Sequence, residues 1–428
     1  MPVPRAAILL QLLAIPTALM LGQDPPRNPG VLTLDQAIQE ALQNNLGLIA
    51  DRYSVTIAEA NLITARLRPN PILTLDGDHL DLLGTHFNRV NNAGPEEYSV
   101  RMDFLFERGH KRQHRMEVAK NQIEFARLEV LNAVRELLLS VRSAFVDLQL
   151  AKRSLDLAQE NLQALTDITE VNKARVKAGD LADVELVRTR LAALQFQNQV
   201  KQAELKVRAA KNRLQLLLGR VTPNPAFDIA GEFRQDPGPT AAAELESKAL
   251  ELRPDLRSLR QSQVGSQAAL RLALAQGKVD YTIGSEYRRQ QGVNGTGNSV
   301  GLFLQTNLPI FNRNQGEIER VRRQQQQIEA RIRDLQATIQ MEVRNSFEQY
   351  RTAQELLASI EKDMLGQAKD VREITAYSYR RGEATLIEFL DAQRAFNETM
   401  QAYNEARAEY ARSLYALESA AGIEGGNR

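Results

Sequence analysis

From Lys111 to Ala178 the chain contains neither glycine nor proline. Proline breaks a helix interior and glycine weakens it, so a stretch this long without either reads as one continuous helix. At 1.5 Å per residue, about 68 residues span roughly 100 Å. Helices of ordinary globular domains average only ~11 residues. The apolar positions are spaced by threes and fours: Ile123, Ala126, Val130, Ala133, Leu137, Val141, Ala144, Leu148, Ala151, Leu155, Ala158, Leu162 and Leu165. This is coiled-coil spacing, with one extra four-residue step through Leu137, Val141 and Ala144. Alanine at many of these positions allows a neighbouring helix to come close, and the Arg, Lys, Glu and Gln between them make a wet face. Gly179 suits the helix C-terminus and Asp180 suits the next N-cap. Asp180–Leu218 is again free of Gly and Pro, so a second long helix returns from a tight tip.

The same text recurs downstream. KAGDLADVELVRTRL (Lys177–Leu191) aligns with RRGEATLIEFLDAQR (Arg380–Arg394), pairing Gly179 with Gly382 and Glu185 with Glu388 at one offset of 203 residues. ALQNNLGL (Ala41–Leu48) resembles ALELRPDL (Ala249–Leu256). A duplication of a ~200-residue unit accounts for both matches. The expected division is a signal peptide at 1–22, a first repeat at 23–230 with its tip near 175–187, and a second at 231–428 with its tip near 378–391. The Pro- and Gly-rich join is Val221–Pro239. Met1–Gly22 reads as a secretory signal: Arg5, then an apolar run from Ala6 to Leu21, then small residues. Gln23–Gly30 is a polar, Pro-rich lead-in.

Each repeat carries one island that alternates apolar with polar residues, at about 71–79 and 97–107 and again at about 279–288 and 298–308. Tyr98, Val100, Met102, Phe104 and Phe106 fall on one side, and Ser99, Arg101 and Asp103 on the other. Period-2 segments of roughly 8–11 residues cross a bilayer when tilted. A soluble hairpin with one buried face shows the same alternation. The segments His79–Glu97 and Arg288–Asn298 read as long polar loops, and no other apolar surface is evident for these faces to bury against; both points favour the membrane. Four strands cannot close a barrel, and an open edge is not tolerated in lipid, so several chains would have to share one.

Composition excludes much else. Among 428 residues, Lys+Arg number 54 and Asp+Glu 53, a net charge of +1 that gives no argument for nucleic acid. With no cysteine there is no disulfide scaffold, thiolate metal site, thiol catalysis or lipid-anchored N-terminal Cys. No internal stretch approaches the ~20 apolar residues of a spanning helix. No Ser-His-Asp spacing, phosphate-cradling Gly loop or GxGxxG is found, so no catalytic residue, cofactor or enzyme activity is expected. His110 and His114 stand at i, i+4 on an expected helix start, a spacing that can bind metal. Lys111, Arg112 and Arg115 around them would repel a divalent cation, so no metal site is assigned; His79 and His86 lie in the first polar loop.

LTLDQAIQEALQNN (Leu32–Asn45), ARLRPNPILTLDGD (Ala65–Asp78), FERGHKRQHR (Phe106–Arg115), LPIFNRNQGEIER (Leu308–Arg320) and the two tips, AGDLADVELV and YRRGEATLIEFLDAQRAFNET, resemble the TolC-like outer membrane efflux protein family. Within it they are most similar to the heavy-metal (cobalt-zinc-cadmium, CzcC-like) branch. The resemblance implies a mostly α chain with a small β part. Its coiled-coil hairpins would form an α-barrel, and four strands per chain would enter a twelve-stranded β-barrel shared by a homotrimer. It implies an outer membrane location with a long periplasmic extension. The partners would be a periplasmic adaptor and an inner-membrane pump, of the RND type by the resemblance, and the channel would be a passive exit duct for metal cations. Drug, organic-solvent and type I secretion channels carry similar tips and stay open as alternatives. A periplasmic coiled-coil adaptor or scaffold is a further alternative, which leaves the duplicated hairpins or the strands unexplained.

The resemblance also implies roles. Glu388 and Asp391 would line the periplasmic constriction, where clustered carboxylates would favour cations and raise some carboxylate pKa values. Thr385 and Glu388 equally fit a capping box, and Asp391 a solvated face. Tyr379 and Glu185 match a latch pair; Ala384 stands where the family's best-known member has an arginine, so a second latch contact is in doubt. Gly179, Leu181, Val184, Leu186, Val187, Gly382, Leu386, Ile387, Phe389 and Leu390 are expected at the tip turns and the adaptor surface, with coiled-coil packing as the alternative for each.

Overall fold

The computed structural model describes residues 31–80, 82–84, 96–239, 241–292 and 295–423. The leader at 1–22, the lead-in that follows it and His86 lie outside the described residues.

The chain opens with a short strand, β1 (Val31–Leu32), then α1 (Leu34–Asn44) and α2 (Leu46–Arg66). Thr33 and Gln36 form a capping box at α1. Asn45 ends α1 and begins α2: its Oδ1 accepts the Leu48 N–H. A hairpin follows, β2 (Ile72–Asp78) and β3 (Glu97–Phe106), and then the rod α3 (Lys111–Ala178), with the bounds the missing Gly and Pro predict. α4 (Asp183–Leu217) returns. Asp180, expected as its N-cap, lies in the turn instead. Gly179 sits at φ 85, which aims the Asp180 N–H back at the Arg175 carbonyl. The cap position passes to Ala182, which has no side-chain bond to give.

After β4 (Asp228–Ile229) the same order returns: α5 (Ala242–Leu252), α6 (Pro254–Gln276), β5 (Tyr281–Gly292), β6 (Gly295–Thr306) and α7 (Gln315–Ser359). A π-turn at Ile360–Met364 leads into α8 (Leu365–Arg381), and α9 (Leu386–Ala420) returns. The second pair of strands overruns expectation. β5 extends through Arg288–Gly292 and β6 begins at Gly295, so the segment 288–298 is mostly paired strand and not a long loop. The polar residues there end the apolar alternation without ending the backbone ladder.

All the expected seam positions of α3 are buried or half-buried. α2 and α6 run beside the half of α3 nearest the strands, and α4 and α9 beside the other half. Two apolar clusters sit at mid-height. Ala37 and Ala41 of α1 pack on Val141, Phe145, Leu148 and Leu214. Leu245 and Ala249 of α5 pack on Ile339, Val343, Phe347 and Leu414. Each fully buried Leu or Phe here contributes about 1.5–3 kcal/mol. β1 pairs in parallel with β4, so the start of the first half and the join are tied together at this level.

Candidate functional site

Two places depart from ordinary packing, one at each end of the rods. The first is the four-stranded sheet, ordered β2–β3–β5–β6 and antiparallel throughout. Paired residues share a face, so register decides what each face presents. Leu73 lies beside Met102, Leu75 beside Val100, Val100 beside Tyr287, and Ile283 between Phe104 and Leu304. This apolar face is bare: Leu302 is 83%, Val300 76% and Leu75 69% exposed. The opposite face is mostly polar and is covered at its centre, where Glu286 is only 7% and Ser99 8% exposed; Asp76, Asp78 and Gln305 towards its margins are exposed. Arg101 Nε donates to Asp103 at 3.0 Å and its guanidinium lies over the Phe303 ring. Arg288 bridges Glu286 and Glu97. A soluble sheet does the reverse, hiding carbon and wetting charge. β2 and β6 each leave an unpaired edge in the chain.

The second place is the pair of tips. Gly382 repeats the geometry of Gly179, with φ 81 against 85. Leu165, Ile168, Tyr379, Leu386 and Phe389 form a small apolar cluster, with Tyr379 and Phe389 stacked at 5.4 Å. The Tyr379 hydroxyl donates to Asn172 Oδ1 at 2.8 Å, and Asn172 Nδ2 donates to Thr189 Oγ1 at 2.8 Å. This buried chain joins α8, α3 and α4. Burial pushes the Tyr379 phenol above its ordinary pKa, opposed by the Asn172 hydrogen bond. Higher up, Asn161 accepts from Gln393 and donates to Asn397, both at 2.7 Å and all buried.

A family model described as outer membrane efflux protein matches residues 37–220 and 245–423. The chain belongs to the outer membrane efflux protein family. It is 22% identical over 371 residues to the cobalt-zinc-cadmium resistance protein CzcC of Cupriavidus metallidurans, covering 86% of this chain and 85% of that one. Its fold is similar to the transmembrane channel protein CusC, with TM-score 0.74, 18% identity and 96% and 97% of the two chains covered. It is similar also to the outer membrane protein VceC of Vibrio cholerae, with TM-score 0.72, 17% identity and coverage of 91% and 96%. The architecture is that of these channels: mostly α, with long coiled-coil hairpins and a small share of strand contributed to a barrel. None of the described helices is long and apolar enough to cross a membrane.

Against this family frame the expected site residues divide. Tyr379 and Glu185 are not hydrogen-bonded to each other: the phenol is taken by Asn172, and Glu185 pairs with Arg188 at 2.9 Å, one turn along its own helix. Asn172 and Thr189 were missed, because a lone Asn and Thr inside a rod leave no pattern. Glu388 forms the capping box, its Oε2 accepting from the Thr385 N–H at 2.7 Å and hydroxyl at 2.9 Å. Those hydrogen bonds hold its carboxyl below the ordinary range in the single chain. Asp391 is exposed, 3.5 Å from Arg394. Of the tip apolar residues, Leu186, Leu386 and Phe389 are buried, Leu181 and Leu390 half-buried, and Val184, Val187 and Ile387 exposed. Ala384 packs on the tip cluster.

His110 is the N-cap of α3, in left-handed backbone at φ 58, and its carbonyl accepts the His114 N–H at 3.0 Å. His114 faces Glu117 at 3.5 Å. No metal-competent cluster of His, Cys, Asp or Glu occurs among the described residues.

Proposed function

We propose that this chain is the outer membrane exit duct of a tripartite efflux pump, built as a homotrimer. The observation that carries the reading is the inverted sheet, with leucine and valine bare on one face and glutamate covered on the other. Only lipid outside and water inside favour that arrangement. The two free edges add a second constraint, since lipid does not tolerate unpaired backbone. Three copies would close a twelve-stranded barrel by joining β6 of one chain to β2 of the next. The rods would enclose the periplasmic part of the conduit. The two halves, 23–230 and 231–428, are read as copies of one unit.

The exported substrate is proposed to be heavy-metal cations, supported by the likeness to a cobalt-zinc-cadmium resistance protein. Energy would come from an inner-membrane pump acting through a periplasmic adaptor; the duct itself is passive. Glu388 and Asp391, repeated three times around the closed end, would set the constriction and its preference for cations. The polar chain Tyr379–Asn172–Thr189 would hold that end shut, with Glu185 nearby as a secondary influence. The exposed Val184, Val187 and Ile387 are the surface offered to the adaptor; Leu386 and Phe389 serve packing, and Gly179 and Gly382 make the turns.

Membrane fractionation tests the whole reading. A heat-resistant trimer in the outer membrane is expected, and a water-soluble monomer would overturn it. Loss of metal tolerance in a deletion strain, with drug tolerance unchanged, is the expected substrate result. Single-channel conductance should rise in Tyr379→Phe; no change there would remove the latch.

A further inference from the structure

Between the sheet and the rods run four connecting segments, 66–71, 107–115, 276–281 and 307–314. They are tied to one another. The Arg108 N–H and the Lys111 ammonium both reach the Asp280 carboxylate, at 2.9 and 2.7 Å. Arg115 reaches the Leu67 carbonyl, and Asn314 the Ala273 carbonyl at the end of α6. Together they form a band around the foot of the sheet. That band holds eight lysines and arginines against two carboxylates, Glu107 and Asp280, a net +6 in a chain whose total is +1.

The two carboxylates are already taken, Glu107 by Arg115 and Asp280 by Lys111. Arg66, Arg68, Arg108, Arg112, Lys278 and Arg313 have no carboxylate partner among the described residues, and all but the half-buried Arg112 are exposed. On the rods exposed arginines such as Arg127, Arg320, Arg323 and Arg344 are ion-paired and others, such as Arg190, Arg331 and Arg333, have no carboxylate partner among the described residues, but there the charges are interleaved with carboxylates and do not gather as they do in the band. The band is also rich in bare carbon. Phe311 is 90%, Leu308 71%, Ile310 63% and Leu67 61% exposed.

We propose that this collar binds anionic phospholipids of the bilayer's periplasmic leaflet, its arginines and lysine that have no carboxylate partner taking the headgroup phosphates while Phe311, Leu308 and Ile310 enter the acyl layer. Cations beside an anionic surface attract it, and apolar side chains at the same depth anchor it. Arginine matches a phosphate with its forked donors better than a lysine point charge does. The collar would fix the height of the duct in the membrane. The inference rests on the reading of the sheet as lipid-facing.

The test uses the full oligomer in nanodiscs of equal phosphatidylglycerol and phosphatidylcholine, with native mass spectrometry counting the lipids that stay bound. Enrichment of phosphatidylglycerol is expected. It should weaken about fivefold for each arginine removed in the series Arg66→Gln, Arg68→Gln, Arg112→Gln and Arg313→Gln, and fade with salt. The matching Arg→Lys variants should keep most of it. Equal retention of both lipids by the unaltered protein, or enrichment unchanged in the fourfold Gln variant, overturns the proposal. So does full displacement of the lipid by inorganic phosphate, which would mark a site for the free ion. Failure to enter nanodiscs at all would instead remove the membrane reading of the sheet.

Discussion

The two hairpin tips are the same turn carrying different chemistry. At an offset of 203 residues, Gly179 matches Gly382 in left-handed backbone, buried Leu186 matches buried Phe389, and exposed Val184 matches exposed Ile387. The cap position is Ala182 in one and Thr385 in the other, and there the likeness ends. Without a hydroxyl at the cap, Glu185 turns outward to Arg188; with one, Glu388 turns back onto Thr385. The apolar cluster is lopsided as well, taking Tyr379, Leu386 and Phe389 from the second hairpin and only α3 residues from the first at its buried centre. The lesson is that backbone shape is conserved by a single glycine, whereas stability and the direction of the acids are set independently by the residues after it. The second tip is the more firmly built.

The largest expected effect breaks that asymmetry. Phe389→Ala removes an aromatic ring stacked on Tyr379 and should cost about 4 kcal/mol of local stability, against about 2 kcal/mol for Leu186→Ala, which lies outside the cluster. Hydrogen exchange of the amides at 165–192 and 376–392 reads both. Equal losses would mean that the tips share one cooperative unit and that the lopsided cluster has no energetic meaning.

Next come the glycines. A side chain in left-handed backbone costs roughly 1–2 kcal/mol wherever it stands. Around Gly179 an added methyl group meets open space, but at Gly382 it would come within 3.0 Å of the Arg175 guanidinium. That guanidinium also donates to the Tyr379 carbonyl at 3.4 Å, so moving it disturbs the link between hairpins. Gly382→Ala is therefore expected to be the more harmful of the two, measured as protease cleavage rate at the tips. The reverse order would show that the contact with Arg175 gives way freely.

How much of this could be read from the sequence follows from what each feature is made of. The rod α3 was legible to the residue because it depends on an absence, that of Gly and Pro, which no tertiary contact has to supply. The strands were legible where alternation is apolar against polar, as at Tyr98–Phe106. They were lost where β5 continues through Arg288–Gln291 and β6 begins at Gly295–Asn298, since polar residues on both faces leave no period to see. The π-turn at Ile360–Met364 requires no special residue and gave no sign. Asn172 was invisible because its role depends on Tyr379, 207 positions away, arriving on the same side of the rod. Of the three acids flagged at the tips, Glu388 was legible down to its partner, because a Thr three residues ahead of a Glu is the spacing of a capping box, whereas the outward pairings of Glu185 with Arg188 and Asp391 with Arg394 left no such sign.

The capping box can be transferred. Thr385→Ala should cost the second tip about 1 kcal/mol, the usual worth of an N-cap hydroxyl. Ala182→Thr should return a comparable amount to the first, by giving Glu185 the reciprocal bonds that Glu388 already makes. Hydrogen exchange of the first turns of α4 and α9 reads the pair. If Ala182→Thr gains nothing, Glu185 holds to Arg188 more strongly than to its own helix start.

The smallest effect is in acid. Hydrogen bonds from Thr385 lower the Glu388 pKa, so its ionised form is favoured in the folded tip. A carboxyl depressed on folding contributes its stability above the unfolded value, near 4.3, and loses it as pH falls through the lower folded value. Acidification should therefore loosen the start of α9 only below about pH 4.3, and neutral-range changes should leave it alone. In Thr385→Ala the hydroxyl donor is gone while the backbone N–H at 385 remains, so the Glu388 carboxyl should titrate only part of the way back towards its ordinary range and the acid response of this turn should shrink in part. Carbon-13 NMR of labelled glutamate follows that single group. A Glu388 titration identical with and without the Thr385 hydroxyl would mean that the carboxylate is held by the helix end as a whole, and the contrast between the tips would then reduce to packing alone.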